Sequence, residues 1–178
     1  ALIMVSTVPA LGGWEIGDRA ELLTGIDRLF SVASAPDGRG GMLIAAVGDP
    51  YPSDRIVITR VDHNGTEVWG DGGQVVPIGL DQSWNRGPLS CASDGLGGGY
   101  FAYRAGHDGY ELLWLVRYRA DGSFARTRGI DNLGIPSPGD DPEVAVLPVG
   151  TCDALVVWKQ YQPSRRLYAA RVDTNGTM

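Results

Sequence analysis

The sequence predicts an all-β chain built from about three copies of one four-stranded antiparallel module, and three observations carry that expectation. First, Gly97 to Gly122 (GGGYFAYRAGHDGYELLWLVRYRADG) lies over Gly40 to Gly65 (GGMLIAAVGDPYPSDRIVITRVDHNG) without a gap, and Cys152 to Gly176 takes the same pattern with one residue deleted. Second, each copy holds apolar runs that are nearly continuous, Leu112 to Val116 among them, and a continuous run in a strand means burial on both faces. Third, Gly 26 and Pro 11 in 178 residues fall between the runs, where tight turns are expected.

The elements follow in chain order. Residues 1–28 match the second half of a repeat: Gly17-Asp18 and Leu22-Leu23 align with Gly70-Asp71 and Val75-Val76, so this stretch reads as strands c and d of a preceding module. Residues 29–87 form the first full module, 88–141 the second, and 142–178 an incomplete third, all in one domain. In the second copy strand a is Leu89 to Ser93, b is Gly99 to Arg104, c is Leu112 to Arg119 and d runs from Phe124 to Ile130. Asn64-Gly65, Asp121-Gly122 and Asn175-Gly176 stand between c and d, where a two-residue hairpin wants positive φ at both central positions. Asp37-Gly38 and Asp94-Gly95 do the same between a and b.

Four-stranded sheets whose middle strands are covered on both sides suit a β-propeller, in which each blade is sandwiched between two others. The fold expected is therefore a partial β-propeller of about three four-stranded antiparallel blades. Arg60, Asp62, Gly65, Trp69 and Gly70 resemble the Arg-x-Asp-x-x-Gly turn and following Trp-Gly of bacterial β-propeller repeat proteins; the second copy departs from the pattern with Arg119 in place of the Asp. That resemblance implies a secreted or cell-surface location. Propellers use about 4 to 8 blades, so about three cannot close a ring. Further blades, from the parent protein or from another chain, are the expected partners, and the chain reads as a fragment or as one subunit of an oligomer.

The composition excludes several functions. A net charge of -6 leaves no basic patch for nucleic acid. The apolar start, Ala1 to Val8, is too short for a membrane span. Cys91 and Cys152 lack metal-ligand spacing, although adjacent blades could bring them within disulfide reach. Asp94 to Gly99 is Gly-rich but lacks the Lys-(Ser/Thr) and helix of a phosphate loop, and no Gly-x-Ser-x-Gly elbow occurs. No cofactor, metal or catalytic constellation is therefore expected. His63 and His107 fall in turns on opposite faces, which keeps them from sharing a metal.

Alternating strand direction places the a–b and c–d turns on one face and the b–c and d–a loops on the other. The second set is longer: Gly48 to Arg55, Leu80 to Pro88, Ala105 to Glu111, Asp131 to Glu143 and Lys159 to Arg166. Rigid scaffolds carry function on such loops. Trp84, with Asn85 and Arg86, sits in a polar loop, and with Tyr51, Tyr110 and Tyr161 it offers flat apolar faces with hydrogen-bonding rims, the combination that holds sugars or peptide side chains. The plainer reading folds Trp84 over the rim of its own sheet. Trp69, Trp114 and Trp158 read as core. Asp140, Asp141 and Glu143 could act as a glycosidase acid pair or contact calcium, but within one short loop they read more simply as a solvated turn or strand cap. Arg60, Arg117 and Arg171 recur at one position of strand c and read as ion pairs between blades. The leading functional expectation is a non-catalytic segment binding a glycan or protein. The alternatives are part of a propeller glycoside hydrolase or lyase, and a structural assembly subunit.

Overall fold

A computed structural model of the protein describes residues 28–49, 55–76, 89–107, 110–134, 143–150, 152–160 and 166–173. These residues form an all-β structure of three antiparallel sheets, with no helix. The first sheet is a meander of β1 (Arg28–Pro36), β2 (Met42–Asp49), β3 (Arg55–Val61) and the short β4 (Gln74–Val75). The second orders β5 (Leu89–Ser93), β6 (Gly99–His107), β7 (Tyr110–Tyr118) and β8 (Phe124–Gly134) in the same way. The third contains β9 (Val144–Val149), β10 (Asp153–Gln160) and β11 (Arg166–Val172), with β10 in the middle. The expected leader, residues 1–27, lies outside the described residues, and Arg28 already belongs to β1.

The continuous apolar runs are buried on both faces, as strands covered on each side require. Leu43 to Val47 in β2 and Tyr100 to Tyr103 in β6 are uninterrupted buried segments. One side of each sheet packs against the next. Leu43, Ala45, Ile56 and Ile58 of the first sheet meet Cys91, Phe101, Tyr103, Val116 and Tyr118 of the second. On the opposite side of the second sheet, Tyr100, Ala102, Leu113 and Leu115 meet Val146, Val156, Trp158 and Val172 of the third. The first strands touch in succession, β1 with β5 and β5 with β9.

Trp69 joins the first two sheets, as its apolar ring and single N–H donor suit it to do. It is buried, stacks on Tyr118 at 5.9 Å between ring centroids, and donates from Nε1 to the carbonyl of Ala120 at 3.1 Å. A Cβ at Gly122 would come within 2.8 Å of the Trp69 ring, so the second c–d turn leaves room for the indole only with glycine there. Trp158 is buried in the third sheet's interface and Trp114 packs against the first core. Trp14 and Trp84 lie outside the described residues.

Candidate functional site

The a–b turns reveal a device that the repeat only hinted at. In the first sheet the Asp37 carboxylate folds back into its own turn: Oδ1 accepts the N–H groups of Arg39 and Gly41 at 2.7 and 2.8 Å. Its Oδ2 accepts Nε of Arg60, two strands away, at 2.7 Å. Asp94 repeats the arrangement: Oδ1 takes the N–H groups of Leu96 and Gly98, and Oδ2 takes Nη2 of Arg117 at 2.9 Å. Planar guanidinium groups suit such shared carboxylates. Arg117 also lies over the Tyr100 ring, 5.6 Å from its centroid. The arginines therefore pair inside each sheet, from strand c back to the a–b turn, and not between sheets as the sequence suggested. The constant separation of 23 residues between Asp and Arg in both copies was the signal for this.

The third sheet solves the same problem with the acid moved. Here Arg171 binds Oδ2 of Asp153 through Nη2 and Nε, only 18 residues back. Register identifies the exchange. Leu43, Tyr100 and Leu155 face Arg60, Arg117 and Arg171, so Val149 stands where Asp37 and Asp94 stand, and Asp153 where Gly41 and Gly98 stand. A Cβ built at Gly41 or Gly98 would fall 2.9 or 2.8 Å from the turn's own Asp Oδ2. Carboxylate and β-carbon compete for one space, so each turn has room for an acid at its first position or its fifth. In the same register Cys152 occupies the place of Gly40 and Gly97, and like them it has positive φ, at 73°.

The c–d turns also differ from expectation. Gly65 and Gly122 have φ of 84° and 80°, but Asn64 and Asp121 do not have positive φ. Gly65 N–H donates to Asp62 O at 3.0 Å and Asp62 N–H to Thr66 O at 2.9 Å, with the same pattern at Arg119, Gly122 and Ser123. These are three-residue loops ending in a left-handed glycine, which need one such residue where a two-residue hairpin needs two. Asp62 Oδ1 accepts the N–H groups of Asn64 and Thr66, and chiefly the Thr66 bond holds its carboxyl below the usual range. The hairpin role thus accounts for the Asp62-x-Asn64-Gly65 sequence.

Contacts between sheets gather these turns at one end of the structure. Ser93 Oγ donates to Asp37 O at 3.0 Å, Arg39 Nη2 to Leu96 O at 2.5 Å, and Tyr100 OH to Cys152 O at 2.6 Å. This end is chemically quiet. Burial would raise the Asp37 carboxyl, but the turn N–H groups and Arg60 outweigh it and hold the group below its usual range, so it does not serve as a proton donor near neutrality. Burial pushes the Cys91 thiol up to about 12, which leaves no thiolate nucleophile. Cys91 and Cys152 are both free thiols. Among the described residues no group of three His, Cys, Asp or Glu side chains could hold a metal ion.

The opposite ends of the strands carry the loops expected to bind. Tyr51, Trp84, Asn85, Arg86 and Tyr161 lie outside the described residues, as do Asp140 and Asp141. Tyr110 is among the described residues, at the start of β7. β6 continues to His107, which pairs directly with Tyr110, so Ala105 to His107 and Tyr110 to Glu111 belong to strands where a loop was expected. β8 likewise runs to Gly134, which shortens the d–a loop expected from Asp131. Glu143 extends the β9 ladder through its carbonyl, which accepts Lys159 N–H at 3.1 Å, and its side chain is exposed with Lys159 Nζ at 4.0 Å. His63 is exposed in the first c–d turn, whereas His107 ends β6 at the loop end of the second sheet. Comparisons with protein-family models, with curated proteins and with solved structures return no match.

Proposed function

We propose that the chain is a non-catalytic segment of a β-propeller that binds a glycan through the face carrying its b–c and d–a loops. The observation that carries this reading is the division of labour between the two ends of the sheets. At the turn end the carboxylates of Asp37 and Asp94 are each held by an arginine and turn N–H groups, so that end serves as scaffold. The loop end is where the sequence places Trp84, Asn85, Arg86, Tyr51 and Tyr161, with Tyr110 at the start of β7. Aromatic faces beside amide and guanidinium groups match the alternating apolar and hydroxyl surfaces of a sugar ring. The radial arrangement draws support from first strands that meet in succession and from middle strands covered on both sides.

A glycan array probed with the labelled chain, followed by titration of the best ligand, tests this. Binding that falls roughly tenfold or more in Trp84→Ala, the loss expected for a stacked ring, supports it. An array without binding above background, or binding indifferent to both Trp84→Ala and Tyr51→Ala, refutes it. Capture of a protein ligand through the same residues would replace the glycan with a protein partner.

A further inference from the structure

The side of the third sheet turned away from the second continues, position for position, the two interfaces already formed. Leu155 takes the place of Leu43 and Tyr100, Val157 that of Ala45 and Ala102, Ala169 that of Ile58 and Leu115, and Leu167 that of Ile56 and Leu113. In the first two sheets all eight of these predecessors are buried against the following sheet. In the third the same positions are still apolar but less covered: Leu155 and Val157 are half-buried, Ala169 is exposed and Leu167 is 75% exposed, and Leu147, beside Leu155 on β9, is 49% exposed. The ion pair reports the same difference. Arg60 and Arg117 side chains are 11% and 16% exposed, whereas Arg171 in the equivalent pair is 67% exposed.

We infer that this face is the docking surface for a further sheet of the same repeat, and that the incoming sheet presents the side that holds Phe101, Tyr103, Val116 and Tyr118 in the second sheet. The occupant follows from the two existing interfaces. Each pairs the Leu43-type side of one sheet with the Phe101-type side of the next, whose counterparts in the third sheet are Val156, Trp158, Ala170 and Val172. In both existing interfaces the second sheet of the pair carries an aromatic residue at the same position of its second strand, Tyr103 or Trp158. The incoming sheet also covers the Arg171–Asp153 pair as the second and third sheets cover Arg60–Asp37 and Arg117–Asp94. Leucines at open positions are otherwise an aggregation hazard on an antiparallel face, where solvent normally selects polar residues.

The inference rests on the stacked arrangement proposed above and on no ligand, so glycan binding can fail without affecting it. The test appends residues 66–141 a second time after Gly176, which supplies a fourth strand for the third sheet and then one complete module. Thiol labelling is followed at Leu167→Cys, with Arg166→Cys as the control on the alternate side of β11, both in a Cys152→Gly background. The extended chain should slow labelling at position 167 roughly tenfold or more, because reaction then waits on local opening, and leave position 166 within about twofold. Unchanged labelling at position 167 beside a folded added module overturns the inference. So does an added module that stays unfolded, since the same residues fold between the first and third sheets.

Discussion

Replacing Gly98 by Ala separates two reasons for a glycine in these turns. Gly98 is outside the left-handed region, so backbone preference does not require glycine there. An added Cβ, however, would lie 2.3 Å from the carbonyl oxygen of Tyr118 and 2.8 Å from Asp94 Oδ2. The first contact is with strand backbone and cannot be relieved by a side-chain rotation. The second pushes the carboxylate away from Arg117, in a pair whose acid is almost wholly buried. Overpacking costs about 1–3 kcal/mol and breaking a buried pair about 3–5 kcal/mol, so partial relief of both leaves a loss of about 3 kcal/mol. For a chain of this length that is a fall of about 6–12 °C in Tm, read by circular dichroism or tryptophan fluorescence. Gly95→Ala is the control. Gly95 has φ of 75°, yet nothing stands within 4 Å of its added Cβ. Its substitution should cost only the left-handed penalty of about 1 kcal/mol. If Gly95→Ala costs as much as Gly98→Ala, or if Gly98→Ala costs under about 1 kcal/mol, close approach to strand c is not what fixes Gly98.

Two further substitutions test the same turns. Asp37→Asn keeps the size of the side chain and removes its charge, at an expected cost of about 1.5–3 kcal/mol near pH 7. Because the folded carboxyl is held below its usual value, the charged pair's contribution is complete above about pH 4 and is lost as pH falls through the lower folded value. The Tm gap between wild type and variant should therefore narrow below about pH 4; a gap constant from about pH 7 to about pH 3 contradicts the assignment. Cys152→Gly relaxes a left-handed residue at the place where the other copies use glycine, and should stabilise the chain by about 0.5–1 kcal/mol in urea titration. A loss of stability would mean that the Cys152 side chain contributes more than its backbone costs.

Much of the fold was legible because it is written in local periodicity. The offset between copies located equivalent strands, and β5 runs from Leu89 to Ser93 as the pattern requires. Trp69 reads as core because it falls beside a strand, and it is buried between the first two sheets. The ends of β6 and β8 were set too early because Ala105, Gly106 and His107, and Asp131 to Gly134, look like loop residues in isolation. Pairing with a neighbouring strand satisfies their backbone groups and extends the ladder regardless of propensity. The candidate residues were chosen on residue type and expected loop position, and of these only Tyr110 is among the described residues, in a strand.

The order of residues by itself determined that the chain repeats, which runs become strands and where the turns fall, because hydrophobic spacing and glycine chemistry act over a few residues. Only the folded arrangement decided whom the recurring arginines hold, why Gly41 and Gly98 leave no room for a side chain beside the turn's own Asp, and which side of one sheet meets the next. Those outcomes depend on groups up to 57 residues apart meeting within a few ångströms, such as the Gly98 α-carbon and the Tyr118 carbonyl, twenty residues apart. A separation of that size leaves at most a coincidence of spacing in the sequence; the contact exists only once the strands are side by side.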